Sequence, residues 1–439
     1  MTAWSLVVYL CLPGFIAHLI WRGIRYPAYW RRWPERFGFL QPMTHQRVIW
    51  VHAVSVGEVR SAAELISRLS ALYSEHRVLV TTMTPTGSEQ VHELFGNAVS
   101  HAYVPYDFPG SVRRFMNRIR PELAIIAETE FWPNLFTACR VRGIPLMLVN
   151  VRLSQTSLRG YLRVPKTARA MLANASLVCA QTVNDARRLK TLGVDDKLIA
   201  VTGNLKFDTP VAESVLIQGQ RIREDWGAER PVLIAGSTHR GEERRLLRAY
   251  ALVRKRYPSL LLVLVPRQPE RFGEVTRLCR RAGCRVVRRT RITGSLAAGI
   301  EIVIGDTMGE LQKLYCAADI AFVGGSLVRR GGHNILEPCA VARPVLFGPH
   351  MFHFEEISAM ALEQGAGRQI HDAASLAEVV VLYFDQPGLR QAAGEAARTL
   401  VATNRGALDR TLELIQQSPR WARADAKSPI VSGAGRPIH

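Results

Sequence analysis

The sequence predicts an α/β protein made of two doubly wound parallel-sheet domains in series. Three observations carry this. The chain has 439 residues, too many for one ordinary core and suited to two domains of roughly 180 residues each. Short apolar runs alternate with amphipathic stretches of ten or more residues, the pattern of parallel strands joined by crossover helices. That pattern stops after residue 203 and restarts at residue 231.

In the first half, strands are expected at 48–52, 78–82, 102–105, 123–127, 146–150, 174–180 and 198–202. Helices are expected at 57–72, 86–94, 112–119, 133–142 and 183–192. In the second half, strands are expected at 231–235, 260–265, 284–288, 302–304, 320–323 and 345–347. The run LLLVLV at 260–265, bounded by Pro258 and Pro266, reads as a strand buried on both faces. Helices are expected at 215–226, 242–257, within 269–283, and at 309–317, 334–342, 354–365 and 376–383. One or two closing helices fall within 388–417. The expected division is therefore 1–35, an anchor and juxtamembrane segment; 36–208, a first domain; 209–417, a second; and 418–439, a loose tail rich in Pro, Arg, Gly and Ala. Two such domains would face across a cleft lined by loops at the strands' carboxyl ends.

Residues 4–21 are apolar, interrupted by Pro13, Gly14 and His18. At about 1.5 Å per residue they nearly cross a hydrocarbon core. Arg22, Arg25, Arg31, Arg32 and Arg36 follow, with only Glu35 opposing, among Trp21, Tyr26, Tyr29, Trp30 and Trp33. No basic stretch precedes the run and no small-residue cleavage site follows it, which argues against a removed signal peptide. The expectation is an N-terminal membrane-anchor helix, transmembrane or lying in the interface, with both domains on the cytoplasmic side. The alternative is a hydrophobic helix packed on the protein.

The net charge is +20, from 57 Lys plus Arg against 37 Asp plus Glu. Such a surplus attracts anions: nucleic acid, an acidic phospholipid surface or phosphorylated small molecules. The basic residues are dispersed and not interleaved with aromatics, so a nucleic-acid platform is disfavoured. The seven cysteines are scattered without C-x-x-C spacing, consistent with reduced, buried thiols. A single zinc or iron–sulfur site is the minor alternative.

Five strand-end runs could carry chemistry. In HAVSVGE (52–58), Glu58 stands near a helix start, where it could accept a hydroxyl proton, with Ser55 orienting it. Ser55 and Glu58 also have the spacing of a capping box, and a tied cap is a poor base. In ETEFWPN (128–134), Glu128 and Glu130 could be a coupled pair, or helix-capping acids. GSTHRGEE (236–243) joins glycine, Ser237 and Thr238 to a helix start, compatible with phosphate or with simple capping. GDTMGEL (305–311) repeats the idea with Thr307 and Glu310 at capping-box spacing. The richest is GGSL (324–327) followed by RRGGHNILEP (329–338). Its glycines permit close backbone approach, and Glu337 could accept from a ribose hydroxyl. Neither G-x-x-x-x-G-K-[ST] nor G-x-G-x-x-G after the first strand is present.

These runs, with GNLKFD (203–208), together resemble the 3-deoxy-D-manno-octulosonic acid (Kdo) transferases of lipopolysaccharide assembly, over roughly residues 25–415. The resemblance implies a GT-B fold, two Rossmann-like domains facing across a cleft. It also implies inverting transfer of Kdo from CMP-Kdo to lipid IVA at the inner membrane. Another GT-B glycosyltransferase with a different nucleotide sugar is the runner-up. By resemblance, Glu58 is the base for the lipid 6′-hydroxyl, and one of Glu128 and Glu130 is a second essential acid. Ser55, Gly57, Arg152, Arg159 and Lys206 would meet the acceptor. Ser237, Thr238, His239, Arg267, Gly305, Met308, Gly309, Glu310, Gly325, Ser326, Gly332, Asn334 and Glu337 would meet CMP-Kdo. The resemblance implies no tightly bound cofactor and no metal; the partners would be the two substrates and the inner-membrane phospholipid surface. Gln268 and His353 depart from the family's usual His and Asn.

Overall fold

The computed structural model describes residues 14, 21, 23, 24, 27–43, 47–419 and 421. The chain divides into two compact units, one comprising residues up to Thr209 with those from Arg405 onward, the other Pro210–Asn404.

The first unit holds β1 (Arg47–His52), β2 (His76–Thr82), β3 (Ser100–Tyr103), β4 (Leu123–Ala127), β5 (Leu146–Val151), β6 (Leu177–Ala180) and β7 (Ile199–Val201). They form one parallel sheet in the order β3-β2-β1-β4-β5-β6-β7. Its helices are α1 (Val56–Ser61), α2 (Ala63–Leu72), α3 (Pro85–Phe95), α4 (Pro109–Ile119), α5 (Pro133–Val141), α6 (Gln155–Tyr161), α7 (Pro165–Leu172) and α8 (Val183–Thr191). Alternate β1 residues feed opposite faces of the sheet. Val48 and Trp50 join one core with Phe115, Ile126 and Leu148. Ile49 and Val51 join the other with Leu65, Val80 and Ile125. Burial on both faces is why these strands read as continuous apolar runs.

The second unit begins with α9 (Glu213–Trp226) and repeats the plan. Its strands are β8 (Val232–Thr238), β9 (Leu261–Pro266), β10 (Val286–Arg288), β11 (Ile302–Ile304), β12 (Ile320–Val323), β13 (Val345–Phe347) and β14 (Gly367–Gln369). All are parallel, in the order β10-β11-β9-β8-β12-β13-β14. The helices are α10 (Glu242–Arg254), α11 (Phe272–Arg281), α12 (Leu311–Cys316), α13 (Leu336–Ala340), α14 (Glu355–Glu363), α15 (Ala373–Asp385) and α16 (Pro387–Thr403). In each sheet the strand order reverses once near the middle, between β1 and β4 and between β8 and β12. At such a reversal the loops leave in opposite directions and open a crevice at the strands' carboxyl ends.

The last helix, α17 (Ala407–Gln417), belongs to the first unit although its place in the chain assigned it to the second. The Asp208 carboxylate holds its start, accepting from Gly406 N at 2.6 Å and Leu408 N at 2.7 Å. Leu408, Leu412 and Ile415 then enter the core beneath β1 and β4. Trp421, expected in a loose tail, is 1% exposed and donates from Nε1 to the Tyr73 hydroxyl at 3.0 Å; residues 422–439 lie outside the described set.

The anchor expectation is overturned. Among the described residues no helix is long and apolar enough to cross a membrane. Most of the 4–21 span lies outside the described residues, and the segment that follows it is built otherwise. Pro27–Trp30 and Trp33–Phe37 are short 3-10 turns, the second packed on the first unit. Trp33 meets Phe37 edge-to-face, and Phe37 meets Tyr106. Arg36, one of the arginines that follow the expected anchor, is 1% exposed and donates from Nη1 to the Met83 carbonyl at 2.9 Å, with its guanidinium over the Tyr103 ring. The expectations of a transmembrane helix, a signal-anchor and a membrane location therefore do not stand, nor does association with a membrane surface rest on the fold.

Candidate active site

In the first unit the acids gather where the sheet's order reverses. β1 ends at His52, and three residues later Ser55 caps α1 from extended backbone. The Glu58 carboxylate turns back over this cap. It accepts from Val54 N at 2.7 Å and from Ser55 Oγ at 2.9 Å, while Ser55 Oγ accepts from Glu58 N at 3.4 Å. The capping arrangement is thus present, yet it does not make Glu58 an ordinary carboxylate. Glu58 is 9% exposed, and its pKa is raised to about 8. Burial is the main cause, followed by the negative charge of Glu128; Glu130 adds to it, and the two hydrogen bonds only partly offset it.

Glu128 and Glu130 arrive from the neighbouring strand, β4. Glu128 bends the chain with φ 57°, a left-handed conformation that a non-glycine residue adopts at a cost. Its N–H continues the sheet by donating to Val149 O, and its carboxylate lies 3.3 Å from Lys206 Nζ. Glu130 accepts from Trp132 Nε1 at 3.0 Å and is also raised, by burial above all. Trp132 in turn packs edge-on against His52. The Arg152 carbonyl accepts from Thr129 Oγ1, which brings that segment beside the acids. Ser55, Glu58, Glu128, Glu130, Arg152 and Lys206 therefore converge, with Gly57 in the exposed first turn of α1. Arg159 stands exposed on α6.

Several groups here were not picked out from sequence. Tyr161 packs on Phe131, and burial with the Glu130 charge raises its hydroxyl. Asn150, at the end of β5 with φ 56°, accepts from Leu205 N at its side-chain oxygen (3.1 Å) and from Gln181 Nε2 at its carbonyl (2.9 Å). Gln181 accepts from Asn204 Nδ2, and Asn204 Oδ1 accepts from Lys206 N. This amide relay places Lys206 against Glu128. The signal for it was GNLKFD, whose Asn204 was quoted without a role.

In the second unit the loops after β8, β11 and β12 carry the predicted residues. Ser237 leaves β8 with φ 55°. Thr238 is fully buried, its hydroxyl donating to Glu243 Oε1 at 2.9 Å; Glu243 is paired with Arg271 at 2.7 Å. Gly324 cannot carry a side chain, because a Cβ there would sit 2.4 Å from the Ser237 carbonyl. The glycine nest has an occupant: the buried Glu242 carboxylate accepts from the N–H groups of His239 (2.8 Å), Gly325 (2.8 Å), Ser326 (3.1 Å) and Leu327 (3.0 Å). Gly325 and Ser326 thus brace the β8 and β12 loops, and their amides do not point at open space. Ser326 Oγ also donates to Val323 O and accepts from Gly348 N.

Around this brace lie groups that remain reachable. His239 and His333 meet Nε2 to Nε2 at 2.8 Å, one necessarily donating to the other. Burial lowers both, His333 to about 3, so the pair stays neutral near pH 7. Asn334 Oδ1 accepts from Leu336 N at the start of α13, beside Glu337. Met308 is exposed, with Gly309 next to it, and Glu310 accepts from Thr307 Oγ1 at 2.6 Å near Arg289. Arg267 N donates to Thr238 O. Gly305 and Gly332 are spacers, where a Cβ would strike Val265 and Met351. His353 lies against Gly331, where no Cβ would fit. Among the described residues no group of three or more His, Cys, Asp or Glu could hold a metal ion.

Two Rossmann-like units of parallel strands, each with polar loops at the reversal of its strand order, make up a GT-B fold. The family model of 3-deoxy-D-manno-octulosonic-acid transferases matches residues 31–209. Along most of its length the chain is 38% identical to the 3-deoxy-D-manno-octulosonic acid transferase of Haemophilus influenzae, over 411 residues, 93% of this chain and 96% of that one. It is also 38% identical to the enzyme of that name from Bordetella pertussis, over 93% of this chain and 97% of the other. A solved glycosyltransferase from Rickettsia africae shares the fold with TM-score 0.55 at 16% identity, over 87% of this chain and all of that one. The chain belongs to the 3-deoxy-D-manno-octulosonic acid transferase family and is a glycosyltransferase of the Kdo-transferring type.

Proposed function

We propose that the donor is CMP-Kdo, that the acceptor is lipid IVA, and that Kdo is transferred with inversion in one displacement. The observation that carries the proposal is Glu58, a carboxyl held at a strand end with its pKa raised to about 8 beside two further acids. A base of that strength is matched to a hydroxyl losing its proton as it attacks near neutral pH. In the proposed step the acceptor oxygen forms a bond to the anomeric carbon of Kdo. The bond from that carbon to the CMP phosphate oxygen breaks, and its electron pair leaves with CMP. The hydroxyl proton passes to Glu58. Glu128, tied to Lys206, would hold the local charge, and Glu130 would shape the acceptor pocket with Trp132 and Tyr161.

In the second unit, Ser237 and His239 around the end of β8 and Met308, Gly309 and Glu310 on the loop after β11 would take the nucleotide, while the buried Thr238 would support them through Glu243. Asn334 and Glu337 would take its ribose, and Arg267 the anionic groups. Charge growing on the departing phosphate would be stabilised by backbone N–H groups of these loops. Nucleotide release from CMP-Kdo with lipid IVA, measured beside UDP- and GDP-sugars, tests the donor. Mass spectrometry of the lipid product tests the acceptor and counts the Kdo groups added. Release from a UDP- or GDP-sugar but not from CMP-Kdo would overturn the reading.

A further inference from the structure

A cavity of about 370 Å³ in the second unit shares no lining residue with the site described above. It lies between one face of α11 and the edge strand β10. Gly273, Thr276, Arg277 and Arg280 line it from the helix, at i, i+3, i+4 and i+7, which is one helical face. Arg288 and Arg291 line it from the strand and the turn after it. Four guanidinium groups therefore converge on one concave surface. The ion pairs nearby, Arg271 with Glu243 and Glu274, and Arg289 with Glu310, leave all four out. Arg288 Nε donates to the buried Thr276 hydroxyl at 3.4 Å, which fixes one of the four in place.

Clustered, unneutralised guanidinium groups repel one another and favour a multiply charged anion with paired acceptor oxygens. Gly273 leaves the cavity open, and a side chain there would occupy space beside the tips of Arg277 and Arg288, 3.5 and 3.6 Å from its Cβ. The wall is also anchored from behind. Thr290 donates from its N and Oγ1 to the Asp306 carboxylate at 3.0 and 2.8 Å, and Arg289 meets Glu310. Residues 288–291 are thus held before any ligand arrives.

We propose that this cavity is a binding site for a compact polyanion carrying two or more phosphoryl groups, of the inorganic pyrophosphate class. Four positive charges exceed what a single phosphate neutralises, and the volume lies in the range of small-molecule sites rather than that of a lone ion.

The test is titration calorimetry of the full chain with pyrophosphate and, separately, orthophosphate, at one fixed ionic strength. Saturable one-to-one binding of pyrophosphate is expected, with orthophosphate at least about 10-fold weaker. Two variants separate a site from diffuse charge. Arg277→Gln with Arg291→Gln removes two exposed side chains and should weaken pyrophosphate at least about 10-fold, with the melting temperature unchanged. Gly273→Leu keeps every charge but fills the cavity, and should weaken it comparably. Unchanged binding in either variant overturns the proposal. So does competitive displacement of pyrophosphate by CMP, which would put the anion in the nucleotide loops instead.

Discussion

Ser55 and Glu58 hold each other twice: the serine hydroxyl accepts the glutamate N–H and donates its own proton to the glutamate carboxylate. The same pair starts a helix and fixes the position of the proposed base. The two roles are compatible because burial and the adjacent acids outweigh the cap's hydrogen bonds and leave the carboxyl raised to about 8.

A pH profile follows. A base works only when ionised, so kcat/KM should climb about tenfold per pH unit below the Glu58 pKa and level off above about 8. Glu58→Gln should lower the rate at least about 100-fold and abolish that limb. A variant that keeps the limb would move the base elsewhere.

The stability of the same variant has a defined sign. The folded pKa of Glu58 is above that of an unfolded glutamate, so the native state binds the extra proton between the two values. Its contribution is fully present below about pH 4 and is lost as pH rises through 8. Glu58→Gln should therefore melt close to the parent at acid pH and increasingly above it toward pH 9. Thermal melts across that range measure this directly.

Lys206 is expected to act through charge. Its ammonium lies 3.3 Å from Glu128, and the Glu128 charge helps to raise Glu58. Lys206→Met should push this rising limb upward by about one pH unit, a loss of about tenfold at pH 7. Lys206→Arg should restore most of it. A fall in rate without displacement of the limb would make Lys206 a substrate contact only.

Glu242 is a structural brace in the second unit. Its carboxylate accepts from four N–H groups of two loops, those of Gly325, Ser326 and Leu327 buried and that of His239 half-buried. Glu242→Ala would leave those donors unsatisfied and should destabilise that unit by about 3 kcal/mol or more. Chemical denaturation reads the loss, and hydrogen exchange should rise first at residues 325–327.

Much of the fold was legible because parallel strands buried on both faces are written as apolar runs. LAIIA at 123–127 and LLVLVP at 261–266 fall on β4 and β9. The strand missed, β14, reads GRQ and lies at a sheet edge where only its first residue is buried. The helices α6 and α7 were missed because Gly160 and Pro165 break residues 155–172 into two short pieces with no long periodic stretch. The anchor expectation failed for a related reason. Arginines and tryptophans beside an apolar run read the same whether they meet headgroups or, like Arg36 and Trp33, pack into a protein core.

By itself the sequence determined the two-unit α/β plan, the family and the strand ends where acids and hydroxyls collect. Those are local patterns, set by neighbours in the chain. Only the tertiary structure decided that Glu242 fills the glycine nest 83 or more residues away, that an amide relay from Asn150 seats Lys206 on Glu128, and that α17 returns to the first unit. Each depends on hydrogen bonds between segments far apart in the chain. A buried donor or acceptor must find some partner, but which one it finds is set by how the sheets bring strand ends together.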